Sequence, residues 1–122
     1  MSLEYKLIVK YRHPNEKKIR KFLNKVKRYA KIIYSPKTQK VLHYAAKLRG
    51  VAFPNFKPPK VEIDTKMENG TGVIELLSDD KDVLIGEVVH LEHVKEKIGE
   101  DEELEWETYK LVEENRWIPF QC

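Results

Sequence analysis

The spacing of hydrophobic positions changes several times along the chain, and each change marks an element. Residues 4–12 (Glu-Tyr-Lys-Leu-Ile-Val-Lys-Tyr-Arg) have a β-branched, aromatic centre with partial alternation, which predicts a strand. His13-Pro14-Asn15-Glu16 closes that strand and opens a helix, with Pro14 or Asn15 suited to its first positions. Ile19, Phe22, Leu23, Val26, Tyr29, Ala30 and Ile33 then recur at three- and four-residue spacing, the pattern of one buried helical face. Ser35-Pro36 opens a second helix with Val41, Leu42, Ala45 and Leu48 as its inner positions, and Gly50 stops it.

Proline fixes φ and disfavours helix before it, so residues 54–59 (Pro-Asn-Phe-Lys-Pro-Pro) are expected to connect two parts of the chain. Val61 to Met67 alternates strictly, as a strand with one wet face does. Glu68-Asn69-Gly70-Thr71-Gly72 predicts a turn with Val73 to Leu77 as the hairpin partner. After a second turn at residues 78–82, Val83 to Leu91 is expected to form a third strand of this run, with Gly86 as a bulge. Glu100 to Asn115 is open to two readings. Acidic residues in a first turn favour a helix, whereas Leu104, Trp106 and Thr108 alternate like a strand; the helix is preferred. Trp117 and Phe120 are expected to pack back onto the core. The expected fold is one α+β domain over residues 1–122, a mostly antiparallel sheet of about four strands packed against two basic helices, with a C-terminal acidic helix.

A chain of 122 residues can bury one core without metal or disulfide staples. Its single cysteine, Cys122, cannot form an intrachain disulfide, and no apolar run approaches membrane-span length, so a cytoplasmic setting is expected. The net charge of +3 conceals a division. Residues 1–60 carry 17 Lys or Arg against Glu4 and Glu16, whereas residues 61–122 carry 6 basic and 18 acidic groups.

That division points to a polyanionic partner or to complementary surfaces. Lys17, Lys18, Arg20, Lys21, Lys25, Lys27, Arg28 and Lys31 surround the apolar stripe of the first helix almost without acidic partners. Like charges at helical spacing repel by a few tenths of a kcal/mol each. Phosphates relieve that repulsion and release counterions. With Arg12 and Lys37 added, these residues form the expected phosphate footprint of a small, non-catalytic nucleic-acid-binding protein, RNA slightly ahead of DNA. Tyr11, Tyr34 or Tyr44 would supply base stacking. The acidic half would then point away from the polyanion, set binding orientation or recruit a basic partner protein; in a competing reading it folds over the basic half and the two neutralise each other. A competing reading pairs the two halves between copies as a homo-oligomer or partner-docking module.

Two weaker constellations concern metals. Glu62, Asp64 and Lys66 share the outer face of an expected strand, with Glu75 across the hairpin, a set that can hold Mg²⁺ in a nuclease. Asp64-Thr65-Lys66 resembles the acidic-x-lysine strand of restriction-type nucleases, but the upstream aspartate of that pattern is missing. His90 and His93 would share a face only on a helix, and no further zinc ligands follow at suitable spacing. Neither set is assigned a metal or a catalytic role. Phosphate-binding glycine loops, calcium loops and Cys-x-x-Cys pairs do not occur.

Overall fold

Leu7, Val9 and Tyr11 alternate along the first strand and are all buried on one face. The rest of the chain is arranged around them. The computed structural model describes residues 3–50, 60–97 and 103–120. It contains β1 (Tyr5–Arg12), α1 (Glu16–Ile33), α2 (Pro36–Leu48), β2 (Val61–Glu68), β3 (Thr71–Ser78), α3 (Lys81–Lys97), β4 (Glu103–Glu113) and β5 (Arg116–Pro119). The proline connection at 54–59 and Cys122 lie outside the described residues. All strand pairings are antiparallel, in the order β2-β3-β1-β4-β5, so the sheet has five strands rather than about four. Leaving aside α2 and β5, the chain follows the β-α-β-β-α-β, or split β-α-β, pattern.

Two expectations are corrected. Residues 83–91 are helical, inside α3, and Gly86 is a helix-interior glycine rather than a bulge. The apolar run Val83-Leu84-Ile85, with two β-branched residues, suggests a strand, but Leu84 and Leu91 are buried with Val83 and Val88 packed beside them, which is helical spacing. Asp80 starts this helix, its carboxylate accepting from the Asp82 N–H at 2.9 Å. Its own N–H donates to Ser78 Oγ, which is fully buried at the end of β3.

The expected C-terminal acidic helix is instead β4, followed by a turn and β5. Leu104, Trp106 and Thr108 point to the core side, and the glutamates between them point the other way. Those glutamates have cross-strand reasons to be there. Glu103 lies opposite Arg12 and Glu105 opposite Lys10 in the β1–β4 register. Opposite charges facing across a strand pair favour the sheet, and the helix dipole is not what placed them. Of the two C-terminal aromatics, Phe120 packs edge-on against Tyr5 at 5.8 Å, whereas Trp117 lies on the opposite face of the sheet beneath the ammonium of Lys6 at 4.4 Å.

The core lies between one sheet face and the helices α1 and α3. Ile19 and Leu23 of α1, Leu84 and Leu91 of α3, and Ile74, Leu76 and Leu104 of the strands close over Leu7, Val9 and Tyr11. The hairpin turn is narrower than the sequence suggests. Asn69 and Gly70 both adopt positive φ, the pair that a two-residue turn demands. Gly72 belongs to β3, under α1, where an added Cβ would come within 2.7 Å of Ile19 Cγ2. No helix among the described residues is long and apolar enough to cross a membrane.

The two strand and helix glycines make opposite predictions. Gly72→Ala is expected to lower unfolding free energy by about 1–3 kcal/mol through overpacking against α1. Gly86→Ala meets open space and should raise it by roughly 0.5–1 kcal/mol, because glycine is a poor helix former. Urea unfolding of the two variants beside the parent checks both signs.

Candidate nucleic-acid interface

The direction of α1 is set at both ends. Asn15 caps its start, the side-chain oxygen accepting from the Lys17 N–H at 3.0 Å. At the other end the Tyr34 hydroxyl donates to Glu87 of α3 at 2.5 Å. Between them Ile19, Leu23 and Ala30 are buried and Phe22, Val26 and Ile33 half-buried, so the helix lies with its apolar stripe on the sheet. Lys17, Lys18, Arg20, Lys21, Lys25, Lys27, Arg28 and Lys31 are all exposed on the remaining surface. The helix runs for 18 residues, about 27 Å at 1.5 Å per residue. Arg20 pairs with Glu16 at 3.5 Å. Among the described residues Lys17, Lys21, Lys25, Lys27, Arg28 and Lys31 form no ion pair.

Lys37 stands at the start of α2 and is also exposed. This helix opens as expected: Ser35 Oγ accepts from the Thr38 N–H at 3.2 Å, and Pro36 occupies the first turn. Gly50 ends it at positive φ. Its orientation differs from expectation. Val41, Leu42, Ala45 and Leu48 are exposed, not inner positions, with Val41 at 60% and Leu48 at 72%. The polar side is the one turned inward. Gln39 and His43 are half-buried, and the Gln39 amide donates to the Ile33 carbonyl at 2.7 Å.

Arg12 is set apart from the α1 cations. It lies at the end of β1 on the sheet face away from the helices, held by Glu103 at 3.2 Å and Glu105 at 3.3 Å. Hydrogen bonding to Glu103, then the nearby Glu105 charge, raise its already high pKa. On that face the strand registers place Glu62, Asp64, Glu68, Glu75, Glu103, Glu105 and Glu107 among Lys6, Lys10, Arg12 and Lys66. Seven carboxylates thus meet four cations, and the face is net acidic. Asp64 and Glu75 are directly opposite, as the hairpin reading expects. Lys66 is engaged by Glu68 at 2.9 Å. Among the described residues no three histidines, cysteines or carboxylates come close enough to hold a metal ion. His90 and His93 stand on α3, and the His90 ring stacks on Tyr29.

The expected stacking tyrosines separate into different environments. Tyr11 is buried and stacked on Phe22 at 4.4 Å, and Tyr34 is tied to Glu87. Only Tyr44 of the three is exposed. Tyr29, which falls in the apolar stripe and reads as core, is 47% exposed. A groove of about 420 Å³ opens between α1 and α3 beside it, lined by Phe22, Lys25, Val26, Tyr29, Glu87, His90 and Leu91. Sequence periodicity alone misses this groove, because it depends on α3 being a helix that brings His90 against Tyr29. No protein-family model, curated protein or solved structure matches the chain.

Burial and the Glu87 carboxylate together push the Tyr34 hydroxyl well above the ordinary tyrosine range. The folded state therefore holds this proton more tightly than the unfolded state. The resulting stability is complete below about pH 10, where an ordinary tyrosine ionises, and is lost as pH rises beyond it. Tyr34→Phe should cost about 1–2 kcal/mol at neutral pH and flatten that alkaline loss, which urea unfolding at neutral and alkaline pH measures.

Proposed function

We propose that the chain binds nucleic acid through the exposed face of α1, with Lys17, Lys18, Arg20, Lys21, Lys25, Lys27, Arg28 and Lys31 contacting phosphates and Lys37 extending the footprint. One observation carries this reading. The cations of α1 face solvent on the helix side of the sheet, whereas the strand carboxylates of the acidic half face the other way. Those strand carboxylates could neutralise α1 only by reaching across the sheet, and on the helix side Glu87 is held by Tyr34. Cations condensed on a nucleic acid are released when lysines and arginines take their place at the phosphates, which supplies a favourable, sequence-independent term.

Single-stranded RNA is the preferred substrate class. The Tyr29–His90 stack and the groove beside Lys25 offer flat rings next to a cation, which suits an unpaired base better than one held in a duplex. Arg12 is left out of the footprint, since Glu103 and Glu105 already engage it. The net-acidic sheet face would repel the same polyanion, and so would fix which side of the protein meets it.

Labelled single-stranded RNA titrated against the protein should bind with an affinity that falls on the order of 10³-fold or more between about 50 and about 200 mM salt, if six or more phosphates are engaged. Lys21→Glu, Lys25→Glu and Arg28→Glu together should abolish binding with the circular-dichroism spectrum unchanged, while Arg12→Ala should leave affinity within about twofold. Tyr29→Ala should weaken single-stranded RNA by roughly 1–3 kcal/mol if a base stacks there, and duplex DNA much less. Absence of binding at low salt would overturn the proposal.

A further inference from the structure

Among the described residues, an exposed apolar stripe on one helix and a net-acidic sheet face have no helix or strand packed over them. The first is α2. Val41, Tyr44, Ala45 and Leu48 recur at three- and four-residue spacing and form a stripe that faces solvent, with Tyr44 at 63% exposure. Lys37, Lys40 and Lys47 accompany the stripe, and the helix carries no acidic residue. The second surface is the open face of the sheet. Its half-buried Ile8, Leu77, Tyr109, Leu111 and Trp117 are set among charges: Ile8 lies between Glu75 and Glu107, and Lys6 lies between Leu77 and Tyr109 with its ammonium over the Trp117 ring. The carboxylates on this face outnumber Lys6, Lys10, Arg12 and Lys66, which leaves it net acidic.

The two surfaces are complementary in chemistry and in size. An apolar stripe edged by lysines meets a net-acidic face with apolar side chains set in it, and opposite net charges select right partners and penalise like-charged ones. The 13 residues of α2 make a rod about 20 Å long, and strands spaced about 4.8 Å apart give a five-stranded sheet a comparable width. We infer that a second copy of this chain docks here, with the α2 stripe of one molecule lying across the open sheet face of the next. The two patches differ, so the contact is heterologous: each molecule added leaves one helix and one sheet face free for the next. A contact made by a single short helix falls at the low end of interface sizes, below about 1,200 Å² in total, so association is weak and concentration-dependent. A lipid surface would also accept a basic amphipathic helix, but it would leave the matching sheet face unexplained.

The inference does not rest on nucleic-acid binding, and its test contains none. Sedimentation velocity of the full chain from low micromolar to near-millimolar concentration should show a mass that rises with concentration and falls with added salt. Leu48→Asp removes the helix side of the contact, and the pair Asp64→Lys with Glu75→Lys removes the sheet side. Each variant alone should stay monomeric with an unchanged circular-dichroism spectrum. Mixed together, they should form a dimer and stop there, because one contributes an intact sheet face and the other an intact helix. A mixture that stays monomeric, or a parent chain that is monomeric throughout, would overturn the proposal. Two further results would do the same: a drop in melting temperature for Leu48→Asp with no change in parent mass, which would seat the stripe within its own chain, or Leu48-dependent binding to phosphatidylserine vesicles by a chain that does not self-associate.

Discussion

Ile19 rests on Gly72 with no room between them for a methyl group, and that approach settles which surface of α1 meets water. A helix lying this close to a sheet cannot roll about its axis without driving Leu23 or Ile19 into the strand below. Once its stripe is fixed, the cations that occupy the rest of the circumference can only face out. The electrostatic character of this side therefore follows from packing. Phosphate affinity would be a property of the core as much as of the lysines.

The sheet imposes the same logic on the acidic half. Alternation sends every second residue of β2 and β4 away from the helices, and the sequence fills those positions with Glu62, Asp64, Glu103, Glu105 and Glu107. Some of that charge is answered by β1, through Lys10 and Arg12, and the surplus gives the face its sign. Basic and acidic residues are divided along the chain, and the sheet separates the α1 cations from the strand carboxylates, while Glu87 and Glu92 of α3 stay on the helix side and Lys6, Lys10, Arg12 and Lys66 share the open face.

Where sequence period and residue preference agreed, the fold was legible. The α1 stripe, the strict alternation of β2, the presence of a hairpin after it and the Ser35-Pro36 start of α2 were all readable from adjacent residues. Two elements were not. In α3 the β-branched residues favour a strand locally, and only burial of Leu84 and Leu91 against β1 and β3 makes the helix the better choice. In β4 the glutamates look like a helix start until Arg12 and Lys10 are set beside them, and those residues are remote in sequence. The candidate site shows the same limit. Eight cations of α1 could be placed together from spacing alone, but the separation of Arg12 and the Tyr29–His90 groove depend on contacts between distant segments.

The central position of β1 also bears on how the chain reaches this state. The strand is synthesised before both of its hydrogen-bonding neighbours, β3 and β4, the latter formed by residues 103–113. The β2–β3 hairpin can close locally, but one side of β1 has no mate until residues 103–113 have left the ribosome. Until then a strand carrying Leu7, Ile8 and Val9 stands with its backbone uncovered, the circumstance in which nascent chains aggregate. Lys6, Lys10 and Arg12 lie in the same strand, and charged side chains on an unpaired strand disfavour pairing with the wrong chain.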